Sequence, residues 1–318
     1  MVTARTTRLL RVADLQGFQR AIASCIPESP ADARGCAVIV PTRSAAEELQ
    51  RTLGRALPDI VTRDEWYAAL HARLPGAPPP LSPFHREVLL RRCANLAHQS
   101  GAEPPFNLRA GLMAEILGLY DDLRRRHKTV ADFDRLMSGS LEPGAEYDRG
   151  AARLLAQTRF LTATFDAFER AIAAVHGVDE HGIRALALAA TTPLYRRTVV
   201  TVADQSADRR GLWAADFDLL ARMPFLEAID VVATETLLDT GYHQRLHEGI
   251  FPGIEDVRFD RAAAPLPLLV IPDAPPGGDA PRVFAYRDRE EELAEFEDPS
   301  REPPHPILLP RGGEGAHL

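Results

Sequence analysis

The sequence predicts an α/β protein: a parallel sheet built from strand–helix units, interrupted by a large all-helical insertion and followed by a truncated second α/β unit. Three observations carry this. Short apolar runs alternate with amphipathic helical patterns over residues 1–75. From Phe84 to about Ala190 every periodic segment has helical spacing. Strand-like runs return at Arg197. Alternating strands and helices imply right-handed crossovers and parallel pairing.

Taken in order, TRLLRV reads as a strand, and DLQGFQRAIASCI as a helix with Leu15, Phe18, Ile22 and Cys25 at helical spacing. AVIV (Ala37 to Val40) is a continuous apolar run, as expected of a parallel strand covered on both faces. The next helix opens on Ser44 and Glu47, an S-x-x-E capping box, and runs to about Leu57. DIVT and DEWYAALHARL repeat the strand–helix unit. The Pro-rich stretch PGAPPPLSP breaks the pattern and opens the helical insertion, residues 76–190. Five helical segments follow, from HREVLLRRCANLAHQ to HGIRALALAA. Residues 191–296 return to the sheet and begin a second domain, with strands at RTVVTVAD, IDVVATE, PLLVI (Pro267 to Ile271) and RVFAY (Arg282 to Tyr286). The helix start RDREEELAEF comes next, and residues 297–318, rich in Pro, Gly and charge, are expected to be disordered.

Composition sets the class. With 45% apolar and 26% charged residues in a 318-residue chain, a globular protein is expected. No apolar run is long enough for a membrane span and no secretory signal opens the chain, so a cytoplasmic location with no membrane partner is expected. Cys25, Cys36 and Cys93 form no C-x-x-C pair and read as buried small residues. A net charge of -8 argues against coating nucleic acid by bulk electrostatics and leaves room for a local basic groove.

The stretch VIVPTRSAAEELQRTL joins a strand to a helix through Pro41-Thr42. One reading is an ordinary βα turn; the other is an anion contact at a helix amino end. Thr42, Ala45, Ala46, Glu48 and Leu49 resemble motif Ia of superfamily-one helicases, T-x-x-A-A-x-E-M, and VTRDEWYAAL stands where those proteins carry a second DNA-contacting segment. With AGLMAEILGLYDDLRRRHKTVADF, GLWAADFDLLARMP and FAYRDREEELAEF in the same order, the chain resembles the AddB-like family of ATP-dependent helicase/nuclease proteins. That resemblance, spread over roughly Ala37 to Phe296, implies a RecA-like sheet, single-stranded DNA as ligand and a helicase partner subunit. It also implies a longer parent with a C-terminal PD-(D/E)XK nuclease, of which this chain would be a truncated or frameshifted product.

The chemistry of such a parent needs lysines, and Lys128 is the only one here. A Walker A loop places a lysine after glycines to neutralise the β- and γ-phosphates; Lys128 lies in RRRHKT with no glycine before it. The nuclease motif needs an acid, any residue, then lysine, but Arg126 and His127 precede Lys128. Asp204-Gln205 is loosely like a Walker B strand end, with an amide where a base should stand; the plainer reading is that Asp204 and Asp208 end a strand and start a turn. No catalytic residue, cofactor or metal is therefore expected.

The expected DNA contacts are Thr42, Arg43, Ser44 and Thr62, with Arg124, Arg125 and Arg126 as a second patch. The plainer reading of that basic run is a solvated helix end complementing the dipole. Trp66 and Trp213 read as core residues before stacking platforms, and His243 and His247, four apart in YHQRLHEG, as a surface helix, because Gln244 replaces the glutamate of H-E-x-x-H. The expected role is an ATPase-inactive, helicase-like, N-terminal portion of a double-strand break repair and recombination protein that binds or guides single-stranded DNA. The alternatives are a non-catalytic interaction scaffold and a small-molecule α/β enzyme using strand-end acids such as Asp204 and Asp273.

Overall fold

The strand–helix rhythm of the first 75 residues is realised as expected. The structure, a computed structural model, describes residues 5–53 and 58–259. Strand β1 (Thr6–Val12) leads into α1 (Leu15–Cys25), a short turn α2 (Pro30–Ala33) precedes β2 (Cys36–Ile39), and α3 (Arg43–Leu53), β3 (Asp59–Val61) and α4 (Arg63–Arg73) follow. One boundary differs. Helix α3 begins at Arg43, so Thr42 is its cap: Thr42 Oγ1 accepts the Ala45 N–H at 3.2 Å and the Thr42 carbonyl accepts the Ala46 N–H. Ser44 already lies within the first turn because the helix starts as soon as the chain clears Pro41. The reciprocal cap occurs at the next junction, where the Thr62 N–H and hydroxyl both donate to Glu65 Oε2 at 3.0 Å.

The insertion comprises α5 (Pro83–Gln99), α6 (Ala110–Arg125), α7 (Val130–Leu141), α8 (Arg149–Ala174) and α9 (Glu180–Leu188). Helices α5 to α8 enclose a core of their own around Leu90, Met113, Tyr120, Phe160 and Phe168. Helix α9 instead turns back to the sheet, burying Ile183 and Ala187 beside Trp66. Entry and exit are pinned together: Val178 donates to the Pro79 carbonyl and Leu81 to the Val178 carbonyl, at 3.0 and 2.8 Å. Leu81 packs so closely over Gly177 that a Cβ there would collide with it.

After the insertion come β4 (Arg197–Val200), α10 (Ala214–Arg222), β5 (Ala228–Thr234), a run of helical turns over residues 235–250, and β6 (Glu255–Arg258). All pairings are parallel and the strand order is β3-β2-β4-β5-β1-β6. The described chain is thus an α/β protein with an open six-stranded parallel sheet of the RecA-like kind and a helical insertion. Leu9, Ile39, Val200 and Val231 face one side with α4, α9 and α10; Leu10, Val38, Val199 and Val232 face the other with α1 and α3. Burial on both faces explains the unbroken apolar runs, each fully buried aliphatic side chain contributing about 1.5–3 kcal/mol.

Strand β6 was not expected: EDVR is short and polar, and among the described residues it pairs with β1 alone. The proposed strands at 267–271 and 282–286, the helix start after them, Asp273, the tail 297–318 and the truncated second unit lie outside the described residues. Among the described residues, no helix is long and apolar enough to cross a membrane.

Candidate functional site

The connections of the sheet create one open crevice. From β2 the chain departs through α3 towards β3, on one face; from β4 it departs through α10 towards β5, on the other. Neighbouring strands whose outgoing connections diverge leave a gap beyond their carboxyl ends, the usual ligand position in open parallel sheets. A cleft of about 320 Å³ lies there, lined by Ile39 to Pro41 from β2, Thr62 to Asp64 from the β3–α4 junction, and Gln205 and Arg209 to Trp213 after β4. Arg125, from the end of α6, closes it.

The loop after β4 is built to hold a fixed shape. Asp204 accepts two bonds from the Arg245 guanidinium, at 2.6 and 2.8 Å, and also the Ala207 N–H. The Gln205 amide donates to the Gly211 carbonyl, and Leu212 donates to the Ala203 carbonyl. Gly211 lies against the backbone of Ala203 and Asp204, where any Cβ would collide. Asp204 and Gln205 are therefore committed to the loop itself. Its tip carries Arg209 and Arg210, both exposed and without an ion-pair partner among the described residues.

Beneath the cleft, four elements meet in a buried charge network. Asp216 on α10, fully buried, accepts from Arg63 Nε and Nη2 at 2.7 and 3.0 Å, from the Tyr67 hydroxyl at 2.8 Å and from the Trp213 N–H at 2.9 Å. Glu180 on α9 accepts from Arg125 at 2.6 and 3.1 Å and from Arg63 at 3.0 Å. Burial pushes the Glu180 carboxyl up, yet Arg125 and Arg63 outweigh it and hold it well below the usual range. The Arg63 guanidinium is raised, its burial overcome by Asp216. The network joins α4, α6, α9 and α10, and so fastens the insertion to the sheet. Beside it Asp121, 3.0 Å from His181, accepts from the Arg86 guanidinium.

Trp213 forms the cleft wall above this network. Its ring is half-buried, and the guanidinium carbons of Arg125 and Arg126 each lie 5.5 Å from its centroid. Trp66, in contrast, is wholly buried. Of the residues expected to touch DNA, Thr62 and Arg125 line the cleft together, so the two patches that the sequence left separate share one site. Arg126 reaches it through Trp213. Thr42, Arg43 and Ser44 follow Pro41 on the α3 shoulder; Arg43 is exposed and only 3.7 Å from Glu65. Arg124 pairs instead with Glu169 at 3.4 Å. Sequence reasoning missed Arg209 and Arg210 and set Trp213 aside as core; the signal was the D-R-R-G-L-W turn in the loop that follows β4.

At the β1–α1 junction, the Asp14 carboxylate accepts the Gly17 N–H at 2.6 Å, so a free donor in the first turn of that helix is capped by an acid. No protein-family model matches the chain, and no curated protein matches it significantly.

Proposed function

We propose that this chain is the ATPase-inactive, helicase-like portion of an AddB-like recombination helicase/nuclease protein, and that it binds or guides single-stranded DNA in the β2/β4 crevice. The observation that carries this reading is the pairing of a partly exposed indole, Trp213, with the guanidinium groups of Arg209 and Arg210, which have no ion-pair partner among the described residues, at one cleft mouth. Aromatic faces stack bases without regard to sequence, while cations follow the phosphates. Inactivity towards ATP is supported by Asp14: a carboxylate seated at the first βα junction repels the phosphates that such a junction otherwise attracts. A helicase partner subunit belongs to the same proposal and rests on the sequence resemblance.

An interaction-scaffold reading draws on α5, where Phe84 and Val88, one turn apart, remain exposed. Fluorescence anisotropy with a labelled single-stranded oligonucleotide separates the two. The DNA reading expects saturable binding at low salt, weakened by Trp213→Ala by about 1–3 kcal/mol, roughly 5- to 150-fold. Absent binding, or equal affinity in the variant, refutes it.

A further inference from the structure

Away from the crevice, the turns that follow β5 and the edge strand β6 bring together two imidazoles and a carboxylate. Leu238, Tyr242 and Leu246 bury against the sheet core, which leaves His243 and His247 side by side on the outer flank, their ring centroids 4.5 Å apart. Asp256 sits opposite Leu9 in the β1–β6 register, on the sheet face that these turns cover. Its Oδ2 is 2.9 Å from His243 Nε2 and 3.7 Å from His247 Nε2. One donor atom from each residue falls within 4.8 Å of the others. His247 Nε2 is buried and makes no hydrogen bond among the described residues.

We propose that His243, His247 and Asp256 bind a divalent transition-metal ion of the zinc class. Nitrogen and oxygen ligands about 2.0–2.2 Å from a tetrahedral zinc stand roughly 3.3 Å from one another, and the two measured separations straddle that value. Imidazole donors disfavour calcium and magnesium, which take oxygen. The neighbouring cation, Arg11, is held by Glu235 at 2.7 Å and donates to Asp256 Oδ2 only at the long distance of 3.5 Å. Gln244, adjacent to the site in sequence, bonds to Glu248. Three protein ligands leave a fourth position for water. The ion clips residues 235–250 to a strand that, among the described residues, is paired on one side only. The proposal stands apart from the crevice and from DNA binding.

The test is cobalt(II) titration of the full, chelator-treated chain, followed by its visible d–d absorption, with zinc displacement as competitor. The expected result is one tetrahedral-type site per chain, displaced by zinc. His247→Ala and Asp256→Asn should each weaken it by about 100-fold or more, since even outer-shell changes cost 10- to 100-fold. His98→Ala, at an exposed histidine on α5, should leave it unchanged. Absence of d–d bands, a thiolate charge-transfer band, or full binding by the His247→Ala/Asp256→Asn double variant overturns the proposal.

Discussion

Removing Arg209 and Arg210 together tests the cleft reading most directly, because the structure separates free cations from committed ones. Arg63 and Arg125 face Asp216 and Glu180, so those four charges cancel. Arg209 and Arg210 have no such counterion among the described residues. Each single-strand phosphate neutralised contributes about 0.7 to the slope of log affinity against log salt. The Arg209→Ala/Arg210→Ala variant should therefore flatten that slope by about 1.4 and bind roughly 25-fold more weakly at about 0.1 M salt. Arg125→Ala is the counter-case. Its charge is already spent on Glu180, so its loss removes charge-assisted hydrogen bonds worth about 1.5–3 kcal/mol. That corresponds to a melting temperature lower by about 3–12 °C, with little change in slope. Anisotropy titrations across a salt series and thermal denaturation measure both. A double variant with an unaltered slope, or an Arg125→Ala protein that melts normally but loses the slope, refutes the assignment of free and committed charge.

Two further outcomes follow from the buried groups. Glu180 ordinarily titrates near 4.5, and in the fold it is held well below that. The unfolded chain thus takes up this proton first, so the stability it supplies is complete above about pH 5 and declines as the pH falls. Urea denaturation should show a shallower acid limb for Glu180→Gln than for the parent, and parallel limbs would count against the network. Burial also pushes the thiols of Cys25 and Cys36 up to about 12 and raises Cys93. A disulfide exchange reagent at mildly alkaline pH should label none of the three until denaturant is added; rapid labelling of the native chain would show that these positions are not enclosed.

Much of the α/β framework was legible in the residues. Parallel strands buried on both faces must be apolar throughout, so AVIV and IDVVAT announce themselves, and helices read by their 3.6-residue period. The helical insertion was legible for the same reason. The solitary lysine is a matter of composition and needs no fold to support it. Strand β6 was not legible: it is largely exposed and lies at the end of the sheet among the described residues, so it carries no apolar requirement, and EDVR has no pattern to find.

The site depended on tertiary placement. A strand order that sets β4 between β2 and β5 cannot be read locally, yet it alone opens the crevice between β2 and β4. Identical arginines acquire different roles there, because a guanidinium is spent or available according to which carboxylate stands beside it. Arg125 meets Glu180 from 55 residues away, whereas Arg210 meets none among the described residues. His243 and His247 lacked a third ligand until the fold brought Asp256, 13 residues beyond His243, up to them. Sequence alone determined the elements and the scarcity of ammonium groups, since both follow from local periodicity and residue identity. Only the tertiary structure decided which charges and rings converge, because convergence is a property of strand order and long-range packing.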